Sequence, residues 1–131
     1  MSMSESYKRA HKEDRKLKAR KGIYLQYKSG AAYRSVPFTL TFDEFVKLIE
    51  LPCYYCGQPP SNTFRPGRFE DEISIYQGID RENNEQGYTR SNSVPCCITC
   101  NNMKKNKSHI EFLRHILKIY KYSVEDIRRN G

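Results

Sequence analysis

Two Cys-x-x-Cys pairs constrain this chain more than any other feature of its sequence. The first pair is Cys53 and Cys56, the second is Cys97 and Cys100, and 40 residues lie between them. A two-residue gap lets both sulfurs of a pair turn toward one ion, and four thiolates grouped in this way can complete a tetrahedral zinc site. The spacing therefore predicts one structural Zn²⁺ per chain, held by all four cysteines.

A disulfide framework is the alternative interpretation of these cysteines. The N-terminal sequence has no apolar segment of the kind that directs secretion, and the pairs have the spacing of metal ligands, so we favour zinc. A fifth cysteine, Cys96, directly precedes Cys97. Cys96 could replace Cys97 as a ligand, although its gap to Cys100 is one residue longer than in a Cys-x-x-Cys pair.

The composition leaves room for only a small core. The chain has 131 residues, of which 37% are hydrophobic and 29% are charged, and this length is typical of one domain. A domain that buries little apolar surface gains from a structural metal, because the free energy of metal binding adds to that of folding. No apolar run reaches the ~18 to 20 residues that a membrane span requires. We expect a soluble, intracellular protein without a membrane partner.

Positive charge is concentrated towards the two ends of the chain. The formal net charge is +8, with eight Lys or Arg against two acids in residues 8–21 and eight against three in residues 104–129. Residues 41–90 are mildly acidic, with nine acids and five bases. Such clusters are typical of proteins that bind a phosphate backbone, but a solvated face or a disordered tail has the same composition. Charge alone leaves both interpretations open.

Helical signals begin in the N-terminal third. Residues 7–28 are predicted to form a basic helix or arm that orders only on its partner, because their apolar positions make no sustained stripe. Thr41 and Glu44 form a capping box. They predict a helix that runs to about Glu50 and stops before Pro52.

A strand is predicted between the two cysteine pairs. Residues 57–72 are rich in Pro, Gly, Asn and Arg, which is typical of a loop. Ile73, Ile75 and Ile79 lie at alternating positions after this loop. The alternation predicts a strand that ends at Asp80.

A long polar loop and a second short strand are predicted before the second cysteine pair. The loop covers residues 81–93, with Tyr88 as its apolar anchor. Val94 and Pro95 could form the second strand. A helix from Ile98 onward would carry the cysteine pair at its start.

A closing helix and three segments complete the prediction. Ser108 and Glu111 form a second capping box, and the apolar residues behind it recur at the spacing of an amphipathic helix. Those residues are Ile110, Leu113, Leu117 and Tyr120.

We expect a basic N-terminal helix or arm over residues 1–36, a main domain over residues 37–122 and a basic C-terminal tail over residues 123–131.

The ordered motifs resemble a known family. They are GIDRENNEQGYT at residues 78–89, NSVP at residues 92–95, CITCN at residues 97–101, and Lys104. Together they look like the HNH endonucleases of the His-Me finger, or ββα-metal, class, and most like a zinc-containing subgroup common in phages. The resemblance covers about residues 27–108 and includes the first cysteine pair.

The resemblance implies a fold class, a second metal and a set of site residues. The fold would be α+β, with a small ββα-metal core stabilised by the zinc site and flanked by helices. Asp80 and Asn101 would bind a catalytic Mg²⁺ or Mn²⁺, which can neutralise the phosphate and stabilise the departing 3′ oxygen. Asn92 would brace the loop between these ligands. Lys104 would contact the scissile phosphate or its neighbour.

The sequence departs from the family pattern at Arg81. The residue after the metal-binding acid is usually a histidine that acts as the general base. A guanidinium stays protonated at physiological pH and is a poor base. Arg81 is better suited to holding a phosphate or the transition state, so activation of the water would fall to the metal, to another residue or to the substrate.

The resemblance therefore predicts a DNA endonuclease that nicks or cuts the duplex, with a homing enzyme of a phage-infected or bacterial host as one form. Double-strand cleavage would be easiest for a homodimer, although sequential nicking also suffices. The alternatives are a zinc-stabilised nucleic-acid-binding module without turnover and a junction-resolving nuclease. Beside a nuclease site, the basic clusters favour a DNA partner. The residues expected to contact DNA are Lys16, Lys18, Arg20, Lys21, Lys104, Lys105 and Lys107.

Overall fold

The computed structural model of the chain describes residues 4–65 and 73–131. Four helices and two small antiparallel sheets make up this described part, which is the α+β class predicted. The elements in chain order are α1 (Glu5–Tyr33), α2 (Phe42–Ile49), β1 (Asn62–Phe64), β2 (Ser74–Tyr76), β3 (Ile79–Arg81), β4 (Ser93–Pro95), α3 (Ile98–Lys104) and α4 (His109–Asn130). Across the described ranges, no helix combines the length and the apolar character needed to cross a membrane.

Helix α1 is exposed over its first half and packed over its second. Residues 4–18 are all exposed, whereas Ile23 and Ala31 are fully buried in a core that includes Phe45 of α2. The prediction that this segment orders only on a partner is therefore wrong for its second half. The sequence pattern missed this packing because the buried positions are few and widely spaced.

A hydrogen bond connects α1 to the strand that carries Asp80. The backbone N–H of Ile79 donates to the hydroxyl of Tyr27 at 3.1 Å. Burial raises the pKa of Tyr27 to about 12, so this hydroxyl is neutral and can accept the bond. Helix α1 therefore helps to fix the position of β3.

Helix α2 confirms the predicted capping box. The backbone N–H of Glu44 donates to the Thr41 hydroxyl at 3.2 Å, and the Thr41 N–H donates to the Glu44 carboxylate at 2.9 Å. The helix ends at Ile49, close to the predicted end. Phe45 and Ile49 are buried and present its apolar face to α1.

The predicted strand that ends at Asp80 is wrong in detail, because the structure has two short strands there. Strand β2 ends at Tyr76 and β3 begins at Ile79. Strand β2 pairs with β1, which lies inside the predicted loop, and β3 pairs separately with β4. Gly78 lies at the break, where a Cβ atom would sit 2.7 Å from the carbonyl oxygen of Cys96. The close approach of two backbones therefore divides the segment, and residues 66–72 of the predicted loop lie outside the described residues.

Strands β3 and β4 and helix α3 follow one another as predicted. The two strands are antiparallel, with Asp80 opposite Val94. Tyr88 anchors the loop between them and lies in the same core as Ile79. Cys97 caps α3, since its sulfur accepts a hydrogen bond from the backbone N–H of Cys100.

Helix α4 is longer than predicted and continues through residues 123–130 of the expected tail. The Ser108 hydroxyl accepts a hydrogen bond from the Glu111 N–H at 3.2 Å, which is one half of the predicted capping box. Phe112 is the buried residue of this helix. The predicted apolar stripe is exposed instead, at Ile110, Leu113, Leu117 and Tyr120.

The packing of α1 predicts a difference between two neighbouring substitutions. Ile23→Ala should lower the free energy of unfolding by about 2–5 kcal/mol, because it leaves a cavity in the core. Leu25→Ala should have little effect, since Leu25 is 59% exposed on the same helix. Denaturant unfolding followed by circular dichroism measures both, and equal effects would contradict the packing of α1 on the core.

Candidate functional site

The four paired cysteines meet in one cluster. The sulfur atoms of Cys53, Cys56, Cys97 and Cys100 all lie within 4.8 Å of one another. None of these four cysteines forms a disulfide. A tetrahedral zinc ion with Zn–S bonds of about 2.3 Å has S···S edges of about 3.8 Å, and the sulfurs of Cys56 and Cys97 are 3.6 Å apart. The cluster therefore fits a metal ion such as zinc.

The protonation of this cluster also suits a metal. Burial raises the pKa of the Cys53 thiol, but hydrogen bonds from neighbouring backbone N–H groups outweigh it and bring the pKa to about 6. Burial, together with hydrogen bonds to neighbouring sulfurs, raises the pKa of Cys100. Sulfurs this close cannot all lose their protons unless a cation balances their charge. A divalent ion supplies that charge.

Cys96 lies outside the cluster. It is buried, and its thiol donates to the carbonyl oxygen of Cys97 at 3.4 Å. It packs with the clustered cysteines and with Phe112 in a second small core. Its sulfur is not among the four that meet, so the alternative in which Cys96 replaces Cys97 as a ligand does not match the structure.

Asp80 is buried in the middle of β3 and is held by two donors. The hydroxyl of Tyr55 donates to Oδ2 at 3.0 Å, and Nζ of Lys104 lies 3.1 Å from the same oxygen. Among the contacts of the described residues, both partners use Oδ2. Oδ1 is therefore the oxygen that can take a further ligand.

Tyr55 is a site residue that the sequence did not reveal. Burial and the neighbouring Asp80 carboxylate raise the pKa of its hydroxyl well above the ordinary value, so it is a donor and not a base. Its ring packs against His109 and Phe112 at the start of α4, with centroid distances of 5.6 and 5.3 Å. The available signal was its place inside the first cysteine pair, because a metal bound there fixes the direction of nearby side chains.

Lys104 is fully buried and faces inward. Its ammonium donates to the carbonyl oxygen of Arg81 at 2.9 Å and forms the ion pair with Asp80. A phosphate contact would require both interactions to break. The expectation that Lys104 contacts a phosphate therefore does not match its position, and the side chain orients Asp80 instead.

Arg81 binds the loop that follows β3. Its guanidinium donates to the carbonyl oxygens of Asn84 and Gln86 at 2.9 and 3.0 Å. It also lies over the ring of Tyr88, 5.4 Å from the centroid. These contacts tie the guanidinium to the loop through one of its nitrogens, Nη1.

Asn92 holds the same loop from its other end. Its buried side chain accepts a hydrogen bond from the N–H of Asn83 at 3.0 Å and donates to the carbonyl oxygens of Asn83 and Gly87, each at 2.9 Å. All three bonds go to backbone groups. This is the bracing contact that the family resemblance implies for Asn92.

Asn101 lies in the first turn of α3 and is exposed. It precedes Lys104 by three residues, and residues at this spacing share one face of a helix. Because Lys104 reaches Asp80 from that face, the face turns toward β3. Asn101 is thus exposed on the helix that supplies the cation of Asp80.

The basic residues expected to contact DNA differ in their availability. Arg20 forms an ion pair with Glu50 at the end of α2, and its side chain is only 17% exposed. Lys107 is half-buried after the end of α3. The expected contacts that are exposed are Lys16, Lys18, Lys21 and Lys105.

Known proteins resemble this chain in two ways. It is 39% identical over 107 residues to "Uncharacterized protein R423" of Acanthamoeba polyphaga mimivirus, and the match covers 79% of this chain but 18% of the relative. It matches the structure of the rare-cutting HNH restriction endonuclease PacI with a TM-score of 0.55 and 22% identity, over 71% of this chain and 70% of that one. The chain has an HNH-type fold.

The HNH-type fold is shown by structure and not by sequence. No protein-family model matches the chain, and the identity to PacI is 22%. Within this fold, β3, β4 and α3 form a ββα unit with Asp80 on its first strand. The cysteine cluster lies at the start of the helix of that unit.

The buried ion pair predicts a large effect from one lysine and a small effect from its neighbour. Lys104→Met should lower the free energy of unfolding by roughly 3–5 kcal/mol, because it leaves the buried Asp80 carboxylate without its cation. Lys105→Met should change stability little, since Lys105 is exposed. Denaturant unfolding of the two variants, without added Mg²⁺ or Mn²⁺ and without chelator, measures both values. A loss for Lys104→Met no larger than that for Lys105→Met would contradict the ion pair.

Proposed function

We propose that this protein is a metal-dependent DNA endonuclease that hydrolyses phosphodiester bonds by nicking or by double-strand cleavage. The observation that carries the proposal is the Asp80 carboxylate in the ββα unit, because both of its internal partners bind Oδ2. Among the described residues no hydrogen-bond or ion-pair partner binds Oδ1, so this is the oxygen that a metal ion would take.

Asp80 and Asn101 are the residues that would hold a catalytic Mg²⁺ or Mn²⁺. A carboxylate and an amide oxygen are ligands that hard divalent cations prefer, and such a cation neutralises the phosphate and the departing oxygen. Tyr55 and Lys104 orient the carboxylate through Oδ2. Asn92 keeps the loop between the strands in place. The chain's own contribution is thus the fixed direction of two oxygen ligands.

The exposed first half of α1 supplies a surface for the DNA backbone. Its lysines and arginines extend away from the core, where phosphates can reach them. Binding through such contacts weakens steeply as salt is raised, and it positions the duplex without reading its sequence. Recognition of a particular sequence or of a branched junction would need other surfaces.

One specific observation favours a second candidate, a nucleic-acid-binding module without turnover. Arg81, the neighbour of Asp80 along the chain, and Lys104, its neighbour in space, are both bonded to internal partners. The Tyr55 hydroxyl donates to Asp80, and a guanidinium such as that of Arg81 is a poor base. In the proposed nuclease, activation of the water therefore falls to the metal, to another residue or to the substrate.

Plasmid cleavage separates the two candidates. The protein with Mg²⁺ or Mn²⁺ should cleave DNA, and Asp80→Ala and Asn101→Ala should abolish cleavage because each removes a metal ligand. Asn102→Ala is the matched control, since Asn102 is the exposed neighbour of Asn101 on α3, and it should stay active. Binding that depends on salt, with no cleavage under either metal, would establish the binding module instead. Faster cleavage of a branched substrate would identify a junction-resolving nuclease.

We further propose that the cysteine cluster holds one structural Zn²⁺ per chain. Metal analysis of the purified protein should give one zinc, and Cys100→Ser should lose it together with the fold, because binding and folding free energies are coupled. Cys96→Ser is the control, since Cys96 is also buried but lies outside the cluster. It should keep the zinc. A stoichiometry of zero, or loss of zinc in the Cys96 variant alone, would overturn the assignment.

A further inference from the structure

Helix α4 carries an apolar stripe that the rest of the described chain does not cover. The exposed fractions are 50% for Ile110, 37% for Leu113, 50% for Leu117, 52% for Tyr120 and 56% for Ile127, and Val124 between them is half-buried. Contiguous apolar patches of this kind are uncommon on monomeric soluble proteins and usually mark an interaction surface.

The spacing of the stripe identifies the shape of what covers it. From Ile110 to Ile127 the apolar positions alternate in steps of three and four residues, which is the a and d pattern of a heptad repeat. In this register Ile110 occupies an a position and Ile127 a d position. This period of 3.5 residues matches the seam along which two helices pack, and the stripe is about 26 Å long at 1.5 Å per residue. The partner surface is therefore another helix.

The stripe is separate from the face that attaches α4 to its own domain. Phe112 and Ile116 pack against the cysteine cluster, and they occupy the c and g positions of the same repeat. The helix is thus fixed on one side and exposed on the adjacent side. This arrangement presents the stripe outward without requiring any part of the domain to move.

Charge along the two edges of the stripe selects the partner and its direction. The e edge is cationic throughout, with Arg114, Lys121 and Arg128. The g edge is uncharged, with Ile116, Ser123 and Asn130. In an antiparallel pair of identical helices the e edges face each other and repel, whereas in a parallel pair each e edge faces an uncharged g edge.

We propose that two copies of this chain associate in parallel through α4 and form a short two-stranded coiled coil. A second copy offers the same a and d residues and an uncharged g edge for each row of cations. In a parallel two-fold pair the g edges of the two helices point in opposite directions, so the two attached domains lie on opposite sides of the coil. This proposal does not depend on the nuclease function.

The oligomeric state in solution tests the proposal. Sedimentation should give a mass of twice the 15.5 kDa chain, and association should strengthen at higher salt, because salt screens repulsion between copies that each carry a net charge of +8. This salt dependence is opposite to that of DNA binding. A monomer at every concentration and salt would overturn the proposal.

Three substitutions locate the interface. Leu113→Glu and Leu117→Glu should each convert the dimer to a monomer, because they place a charge in the seam. Tyr122→Glu is the matched control, since Tyr122 is 93% exposed at the f position of the same helix, and this variant should remain dimeric. Unchanged helical content and bound metal would show that each variant is folded. A dimer that survives both leucine variants would overturn the proposal.

Cross-linking tests the direction of the pair. Ile127→Cys should form a disulfide-linked dimer when oxidised with diamide, because identical d positions meet in a parallel coiled coil. The controls are the unsubstituted chain and Tyr122→Cys, whose new thiol lies outside the seam, and neither should link.

An antiparallel pair would give the opposite pattern of disulfides. Position 127 of one copy would then face position 110 of the other, and the two thiols of Ile127→Cys would lie about 26 Å apart at 1.5 Å per residue. A mixture of Ile110→Cys and Ile127→Cys chains would form the mixed disulfide, while neither variant alone would link. That result would overturn the parallel arrangement.

Discussion

The cluster of four sulfurs is the constraint on which the rest of the site depends. It joins two segments of the chain that are separated by 40 residues, and each segment carries a residue of the candidate site. Cys97 caps α3 and so fixes where the helix with Asn101 begins. The first cysteine pair carries Tyr55, whose hydroxyl reaches Asp80. A metal bound by the cluster would therefore fix the distance between the strand and the helix of the ββα unit.

The Asp80 carboxylate shows how the site balances charge. A buried ion pair loses hydration that its mutual attraction only partly restores, so it is weak evidence for stability. Here the ion pair orients the carboxylate, because Lys104 and Tyr55 both bind Oδ2 and leave Oδ1 with a defined orientation. The same lysine lowers the net negative charge of the site. A catalytic cation, as proposed above, would then depend on the geometry of its ligands more than on accumulated negative charge.

Short-range signals in the sequence predicted much of the fold, and long-range contacts account for what it missed. The capping box of Thr41 involves groups close in sequence, and the cysteine spacing reflects a known ligand geometry. The break at Gly78 depends on the backbone of Cys96, which is distant along the chain. The burial of Lys104 likewise depends on Asp80. A lysine in a polar motif gives no sign that its charge is turned inward, so the sequence suggested a phosphate contact.

Arg81 decides how the chemistry of this fold must differ from the family pattern. A histidine at this position could exchange a proton with water, whereas the guanidinium is permanently charged and bonded to two carbonyl oxygens of its own loop. The bonds from Arg81 hold the start of the loop, and the bond from Asn92 to Gly87 holds it from its other end. The loop is thus braced at the position where the family pattern has a base. A site built in this way fixes the positions of its oxygen ligands, and Arg81 takes no part in the transfer of protons.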